Sequence, residues 1–382
     1  MALAEAMGAV ELEMNVANPA KTAVVKNVFY RGDLYRNNGA TELGKTAIND
    51  FVGYYTVGLV PEGVTPADGI PAGNGYLTLT VAAANTVKIS GVLADDTAVS
   101  GSSIGQLVGD SLESPRECAL FVPVFFGKTT VYSIAGVVKI AYENPSDANA
   151  LPVALPSAKL VWAKSAAAAT SRDASGFAIS IAPTGGWYNT TENMQAHYLK
   201  NTFALQTVEN GDDLPVEALP SGYSFMAASA PHDLAVRFAN NALATDARKL
   251  VTNKTTGLYD FWQTGDAATS INPWSVTFKF TRATGLISGT LSVWEWIVKS
   301  DGGYPYATKQ RQVTKLAHKG VWLWERDASS ESPLAAEACS AGFFLMPATK
   351  SWKASLPFNI LSVSDDEPSW DEKDLSAPDS GD

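Results

Sequence analysis

The sequence predicts a mainly β fold with an antiparallel barrel-like or sandwich architecture, built from two related halves with one or two short helices. Short runs rich in Val, Ile, Thr, Tyr and Phe are separated by Gly, Asn and Asp, as expected for strands joined by tight turns. The 382-residue chain contains 30 glycines and 20 prolines, which suits many turns. Two distant stretches also share one strand-and-turn pattern.

Helical signals are few. Leu3–Met14 is rich in Ala, Glu and Met, and we expect one or two helical turns there. Leu234–Ala244 follows the candidate caps Ser229 and Asp233 and is the other helix candidate. Because neither segment carries a long apolar stripe at helical spacing, we expect any helices to be short.

The first informative stretch reads as a β-hairpin. Leu77–Val81 alternates apolar and polar residues, and Val87–Leu93 follows after a short loop. This alternation predicts that Leu77, Leu79 and Val81 point to one side, where the returning strand places Ile89 and Leu93. Gly91 falls on the same apolar face, where a missing side chain permits bending or close approach of another strand.

The same pattern returns about two hundred positions later. Val276–Phe280 alternates in the same way, and Leu286–Leu291 follows after a loop that differs by one residue. Ile287-Ser288-Gly289 mirrors Ile89-Ser90-Gly91. We interpret the two hairpins as a duplication, with the shared glycine suited to a coiled sheet or a barrel corner.

Further strands are predicted after each hairpin, at Ala119–Phe126, Val131–Tyr142 and Lys159–Trp162, and at Gly320–Trp324, Ala341–Met346 and Ser355–Ile360. The predicted organisation is an N-terminal segment 1–47, a first β half 48–165, a connecting β and loop region 166–270, a second β half 271–364 and an acidic flexible tail 365–382. Cys118 and Cys339 precede strands in the two halves, and we expect two free buried thiols rather than a disulfide.

Three segments carry a resemblance to a known class of protein. Tyr76–Leu93 (YLTLTVAAANTVKISGVL), Trp274–Leu291 (WSVTFKFTRATGLISGTL) and Ala341–Ile360 (AGFFLMPATKSWKASLPFNI) resemble poorly annotated β-repeat modules of very large bacterial surface proteins. The resemblance covers about half of the chain and rests on strand-and-turn phrases. It implies an extracellular β-barrel-like module with duplicated halves, and it carries over no functional residue.

Composition excludes several function classes. The formal net charge is −11, and residues 365–382 hold eight acids and one lysine, so the tail contributes −7 and the rest −4. Because no basic patch stands out, we expect no nucleic-acid partner. Three histidines and two cysteines offer little material for a metal site, and we expect no cofactor. No apolar run approaches the ~18–20 residues of a membrane-spanning helix, so no membrane span is expected.

Tryptophans supply the candidate binding site. Trp294 and Trp296 share one face of a predicted strand, and Trp322 and Trp324 share one face of the next. Four such rings on facing strands predict a flat platform on which a sugar can stack its C–H groups. Two alternatives remain open at this point, because large aromatic residues also fill cores and subunit interfaces.

Acidic residues beside these tryptophans allow two interpretations. Glu325 and Asp327 are candidate polar partners for the hydroxyl groups of a bound sugar. Alternatively, Glu295 and Glu325 form the carboxylate pair of a glycosidase, which requires two carboxyl groups within ~5–10 Å. Since alternation places Glu295 on the Val293 side of its strand, an acid there calls for a bulge, a strand end or a salt bridge.

Gly101–Gly105 matches the G-x-S-x-G pattern of a nucleophile elbow. That motif requires a strand, a strained turn and a helix, whereas a β-hairpin precedes this segment and no helical stripe follows. We therefore predict a flexible hairpin loop without a catalytic role.

The sequence as a whole predicts a noncatalytic structural or adhesive module of a bacterial cell-surface or secreted assembly. Low charge and many Thr, Ser and Gly residues are typical of extracellular β proteins, so we expect an extracellular or cell-surface location. The predicted partners are a glycan or other surface proteins, bound through exposed aromatic side chains. The alternatives are a carbohydrate-active enzyme and a subunit that self-associates through uncapped β edges into a filament or sheet.

Overall fold

The structure is a computed structural model that describes residues 8–15, 22–29, 47–64, 70–109, 113–128, 132–166, 176–190, 202–206, 223–224, 238–239, 249–252, 259–262, 277–281, 283–301, 304–324, 332–334, 338–345 and 355–363. The mainly β, antiparallel fold class is confirmed. In the described part of the chain, helical structure comprises residues 47–49, the 3-10 turn Pro115–Glu117 and the single residue Ala166. None of the described helical residues belongs to a helix with the length and apolar character needed to cross a membrane.

The first strands in chain order are β1 (Gly8–Asn15), β2 (Thr22–Phe29), β3 (Gly53–Pro61), β4 (Gly75–Val81), β5 (Thr86–Val92), β6 (Ala98–Ile104), β7 (Gln106–Val108), β8 (Ala119–Lys128), β9 (Tyr132–Ala141), β10 (Val153–Leu155), β11 (Leu160–Lys164) and β12 (Phe177–Trp187). They are followed by β13 (Thr202–Gln206), β14 (Tyr223–Ser224), β15 (Phe238–Ala239), β16 (Lys249–Thr252), β17 (Tyr259–Trp262), β18 (Thr277–Thr281), β19 (Leu286–Asp301), β20 (Tyr304–Trp322), β21 (Ser340–Leu345), β22 (Ser355–Pro357) and β23 (Asn359–Val363).

The chain forms two compact units. The first unit comprises residues 1–65, 74–190 and 323–336, and the second comprises 66–73, 191–322 and 337–382. Strand β12 lies in the predicted connecting region and belongs to the sheet of the first unit. Strands β1 and β2 pair only with each other in the described residues.

The first unit is built on a ten-stranded antiparallel sheet with the order β6-β5-β4-β3-β12-β10-β9-β8-β7, in which β11 also pairs with β12 and β9. Strands β10 and β11 lie end to end between the same two neighbours, and Gly105 alone separates β6 from β7. Neighbours in the sheet are therefore neighbours in the chain, and β12 returns to pair with β3. The sheet does not close into a complete ring. Its two ends are β6, which pairs with β5, and β7, which pairs with β8.

Two tight turns set the register of this sheet. In the β4–β5 turn, Ala82 N–H donates to the Thr86 carbonyl and Asn85 has φ 59°. In the β5–β6 turn, Leu93 N–H donates to the Thr97 carbonyl and Asp96 has φ 71°. Both are three-residue turns that end in a bulge with a left-handed residue, a position that Asn and Asp tolerate well.

One face of the sheet forms the core of the first unit. The predicted hairpin is present, and the side chains predicted to share a face do so: Leu77 pairs with Gly91 and Leu79 with Ile89, and both leucines have no exposed surface. The same face carries a continuous set of side chains that are at most 3% exposed, namely Tyr55, Val57, Leu59, Leu77, Leu79, Val81, Val87, Ile89, Leu120, Val122, Val124, Ile134, Leu160, Trp162, Phe177 and Ile181. Interiors of small barrels are filled by side chains in this way.

Two prolines mark places where the ladder of the first unit is interrupted. Pro183 of β12 lies between Ile181, which pairs with β11, and Gly185, which pairs with β10. Pro123 of β8 lies beyond Phe121, the last residue paired with β7. Because proline has no N–H to donate, both positions suit an interrupted ladder.

The second unit contains an eight-stranded sheet with the order β16-β17-β18-β19-β20-β21-β22, to which β14 adds by pairing with β19, and a three-stranded sheet with the order β15-β13-β23. The predicted second hairpin is present as β18 and β19. Phe278 pairs with Gly289 and Phe280 with Ile287, which is the relationship that Leu77 and Leu79 have to Gly91 and Ile89 in the first unit.

Buried residues of the second unit include His318, which is 1% exposed and stacks on Phe358 with ring centroids 3.9 Å apart. Cys118 is buried and Cys339 is half-buried, and the two do not form a disulfide, as predicted.

Two local predictions are wrong. Residues 8–14 of the predicted helical segment Leu3–Met14 belong to strand β1. Gly101–Ile104 is part of strand β6 rather than a hairpin loop, and Gly105 is followed by strand β7 rather than by a helix. Within Leu234–Ala244, Phe238–Ala239 is a strand, and the other positions lie outside the described residues.

Candidate functional site

Tyr54, Tyr188 and Trp324 form an aromatic cluster in the first unit. The ring centroids of Tyr54 and Tyr188 are 5.9 Å apart with an interplanar angle of 71°, and those of Tyr188 and Trp324 are 6.0 Å apart at 86°. Both contacts are edge-to-face, an arrangement that aromatic pairs prefer. Tyr188 is only 1% exposed, whereas Tyr54 and Trp324 are half-buried. The two outer rings therefore rest on a buried central ring.

Backbone pairing fixes the central ring of this cluster. Tyr188 follows the last residue of β12, and its N–H donates to the Tyr54 carbonyl at 2.7 Å. The preceding N–H, of Trp187, donates to the Pro152 carbonyl at 2.9 Å. The segment that carries Tyr188 is thus hydrogen-bonded to the chain segments on either side of it, so the fold determines where the Tyr188 ring lies.

Trp324 is anchored by its chain neighbour. Leu323 is 3% exposed, and a side chain built on Gly185 of β12 would come within 3.0 Å of it. The missing side chain of Gly185 therefore leaves room for Leu323 against the sheet. This packing holds the adjacent Trp324 beside Tyr188.

Hydroxyl groups extend from the aromatic cluster along the outward face of β4 and β5. The Tyr54 hydroxyl hydrogen-bonds the side chain of Thr78, and the Thr78 and Ser90 hydroxyl oxygens are 2.8 Å apart. Burial raises the pKa of Tyr54, and the hydrogen bond from Thr78 opposes this only in part. The phenol is therefore neutral at physiological pH, where it can both donate and accept hydrogen bonds.

The described residues that form this site are aromatic or carry hydroxyl groups. Strands β3 and β4 contain no Asp, Glu, Lys or Arg. Half-buried rings beside hydroxyl groups match the surface of a neutral carbohydrate, which offers C–H groups on one side and hydroxyls at its edge.

The predicted tryptophan platform divides between the two units. Trp322 belongs to the second unit, where it is 4% exposed and packs edge-to-face against Phe280 at 5.9 Å. The backbone N–H of Trp322 donates to the Gly285 carbonyl at 2.7 Å. The ring of Trp322 is therefore part of a core, which is one of the alternatives to the platform, and it offers no exposed stacking face. Trp324 belongs to the first unit and is half-buried.

The other predicted site residues are described in part or not at all. In β19, Trp294 pairs with Gln312 and Trp296 with Gln310, and their side chains lie outside the described residues. Glu295 pairs with Arg311 just after a register shift between Val293 and Trp294, so the expected irregularity is present in the backbone. Glu325 and Asp327 lie outside the described residues.

Sequence reasoning missed Tyr54 and Tyr188. A signal for Tyr54 exists, because alternation along β3 places it opposite in direction to Tyr55, Val57 and Leu59, which fill the core. No local pattern identifies Tyr188, because its place depends on the return of β12 to β3 across more than a hundred residues.

Among the described residues, no group of three or more His, Cys, Asp or Glu side chains is placed to hold a metal ion. Comparisons of the chain with protein-family models, with curated proteins and with solved structures found no match.

Proposed function

We propose that the chain is a noncatalytic adhesive module that binds a neutral glycan through the aromatic cluster of Tyr54, Tyr188 and Trp324. The observation that carries this proposal is the pair of half-buried rings held in place by the buried ring of Tyr188, next to the hydroxyl groups of Thr78 and Ser90. This site keeps Trp324 from the sequence prediction and replaces Trp322 with two tyrosines.

Preorganisation is the physical support for binding at this site. A ligand that orders flexible side chains loses part of its binding free energy, about 0.5–1.5 kcal/mol for each side chain. The outer rings here are already packed against Tyr188, and the Tyr54 hydroxyl already has a partner in Thr78. Little ordering of these side chains remains when a sugar stacks on the half-buried rings of Tyr54 and Trp324.

The biological setting is proposed on other grounds. The resemblance of the repeated strand-and-turn phrases to bacterial surface modules and the low charge of the first unit support a cell-surface or secreted assembly. The equivalent positions of Gly91 and Gly289 opposite apolar residues support a duplicated origin of the two hairpins. A module of this kind holds surface polymers or neighbouring proteins together rather than processing them.

A glycan array followed by titration calorimetry tests the proposal. We expect Trp324→Ala to weaken binding of the selected glycan by about tenfold or more, equivalent to about 1.4 kcal/mol, and Tyr54→Phe to weaken it less because the ring remains. The matched control is Phe125→Ala, which removes a 64% exposed aromatic ring elsewhere in the same unit. Melting temperatures of all variants confirm that the fold is intact.

Two outcomes would contradict the proposal. One is a folded protein that binds no member of a broad array, and the other is binding that survives Trp324→Ala but not Phe125→Ala. Release of sugars from a polysaccharide panel, abolished by Glu325→Gln, would instead favour the alternative of a carbohydrate-active enzyme.

A further inference from the structure

Three hydroxyl groups of the first unit meet on the outward face of the sheet, at Tyr54, Thr78 and Ser90. Thr78 points outward because it lies between Leu77 and Leu79, which fill the core. Thr78 pairs directly with Ser90 across β4 and β5. Tyr54 of β3 lies diagonally across from Thr78, and its hydroxyl hydrogen-bonds the Thr78 side chain.

Thr78 is the central hydroxyl of this group, and its contacts determine the direction of each hydrogen bond. Thr78 Oγ1 lies 3.2 Å from the Ser90 carbonyl oxygen and 2.8 Å from Ser90 Oγ. A carbonyl oxygen can only accept, so the single hydroxyl hydrogen of Thr78 is donated to it. The two lone pairs of Thr78 Oγ1 then accept from the hydroxyls of Ser90 and Tyr54.

Both outer hydroxyls therefore donate to Thr78. A hydroxyl group has one hydrogen, so Ser90 and Tyr54 use their hydrogens within the protein. What their oxygens can offer to a bound molecule is lone pairs, which accept hydrogen bonds. The Tyr54 hydroxyl is thus an acceptor on the side that faces a ligand.

Burial fixes this direction at Tyr54. Thr78 is only 7% exposed and Tyr54 is half-buried, so water has little access to the bond between them. A buried hydroxyl that loses its partner is unfavourable, because it has also given up its hydrogen bonds to water. Hydrogen bonds in a chain polarise one another, so donation to Thr78 makes the Tyr54 oxygen a better acceptor.

The Tyr54 oxygen belongs to one of the rings of the aromatic cluster, since Tyr54 packs edge-to-face with Tyr188. A sugar that stacks on this cluster therefore meets a hydrogen-bond acceptor at its edge. A hydroxyl group of the sugar can donate to this oxygen. An ether oxygen or a methylated hydroxyl has no hydrogen to donate and cannot replace it.

We propose that Thr78 is a positioning residue that makes the Tyr54 hydroxyl an acceptor, so that the site selects glycans with a free hydroxyl group donating to Tyr54. This inference rests on the proposed function and adds the specificity of the same site. Glycans that are methylated, esterified or deoxygenated at the contacting position bind more weakly. Thr78 acts through Tyr54.

Deoxyfluoro analogues of the glycan selected on the array test this specificity by titration calorimetry. Fluorine replaces one hydroxyl group at a time and cannot donate a hydrogen bond. We expect one position where the replacement weakens binding about fivefold, the usual net contribution of one neutral hydrogen bond. Tyr54→Phe should weaken binding of the parent glycan by a similar factor and abolish the difference between the parent glycan and that analogue.

Thr78→Val tests the positioning role, because valine has the shape of threonine without its hydroxyl group. The hydrogen of Tyr54 can then turn toward the ligand, so the affinity ratio of the parent glycan to the analogue should fall. Thr78→Ser keeps the hydroxyl group and should restore the ratio, which a uniform loss of folded protein does not change. The matched control, Thr86→Val, alters an exposed threonine of β5 and leaves the ratio unchanged.

Three results overturn the inference. The first is a series in which no replaced hydroxyl group weakens binding, the second is a loss that persists unchanged in Tyr54→Phe, and the third is a ratio that Thr78→Val does not alter. Each of these leaves the proposed function standing if Trp324→Ala still weakens binding, whereas a folded protein that binds no glycan contradicts both. Where Thr78→Val fails to fold, the analogue series on the unmodified chain and on Tyr54→Phe decides.

Discussion

Lys164 Nζ lies 2.8 Å from Asp95 Oδ2, and the two side chains are only 7% and 5% exposed. Lys164 is the last residue of β11, and Asp95 lies in the turn between β5 and β6. Strand β11 pairs with neither β5 nor β6 in the sheet. The other carboxylate oxygen, Asp95 Oδ1, accepts a hydrogen bond from Thr97 N–H at 3.0 Å. One carboxylate therefore shapes its own turn and joins it to a distant strand.

Removing one charge of this ion pair should lower the free energy of unfolding much more than removing both charges. Lys164→Met leaves a buried carboxylate without its counter-ion and should lower the free energy of unfolding by about 3–5 kcal/mol. Lys164→Met/Asp95→Asn removes both charges and keeps an acceptor for Thr97 N–H, so most of the loss should be recovered. Urea denaturation of the three proteins measures this. Equal stability of Lys164→Met and the unmodified chain would contradict a buried pair.

The β4–β5 hairpin of the first unit could be predicted because its strands alternate apolar and polar residues. Leu77–Val81 repeats apolar residues at every second position, and the face that this alternation predicts to be apolar is the buried one. The same rule identifies the error at the N-terminus. Val10, Leu12 and Met14 alternate with Glu11 and Glu13, a period of two that indicates a strand, while Ala and Glu content alone indicated a helix.

The site was harder to predict than the hairpin, because the sequence of a single strand does not show whether its second face is buried. Trp322 and Val321 point to opposite faces of β20, and yet both are buried. Alternation distinguishes the two faces of a strand but does not tell whether a further layer covers the outer one. The partner of Trp322, Phe280, comes from another strand, and Tyr188 reaches Tyr54 only through the return of β12.

Gly91 is predicted to be intolerant of any side chain. A Cβ at this position would collide with the Tyr76 carbonyl oxygen and with Leu77. Gly91→Ala should therefore destabilise the first unit by about 1–3 kcal/mol, the usual range for overpacking. Ser102→Ala, on the exposed face of β6, is the control and should change stability by less than about 0.5 kcal/mol. Urea denaturation followed by tryptophan fluorescence compares them. Equal midpoints for the two variants would argue against the close approach of β4 and β5.

Tyr76 should make stability fall at alkaline pH. Burial, and then the charges of Asp96 and Tyr54, raise the pKa of Tyr76 from 10.0 to about 12. The folded state therefore holds the phenolic proton more tightly than the unfolded state does. The resulting stabilisation is fully present below pH 10.0 and is lost as pH rises through about 12.

Tyr76→Phe removes this titration and serves as the comparison. The stability advantage of the unmodified protein over Tyr76→Phe should decrease between these two pH values by at most about 2–3 kcal/mol, since each pKa unit corresponds to about 1.36 kcal/mol. Urea denaturation at several alkaline pH values measures the difference. A difference that stays constant across this range would show that Tyr76 titrates equally in the folded and unfolded states.

Phe51 is expected to be essential to the stability of the first unit although it lies outside the sheet. It is fully buried, its ring packs edge-to-face with Tyr142 at 5.6 Å, and its carbonyl accepts a hydrogen bond from the buried Tyr55 hydroxyl at 2.7 Å. Phe51→Ala leaves a cavity between these groups and should lower the free energy of unfolding by about 3–5 kcal/mol. The adjacent Val52 is 39% exposed, so Val52→Ala is the control and should change it by less than about 1 kcal/mol. Urea denaturation distinguishes the two. A small, equal effect of both substitutions would mean that the segment before β3 does not pack against the sheet, because only a packed ring creates a cavity when it is removed.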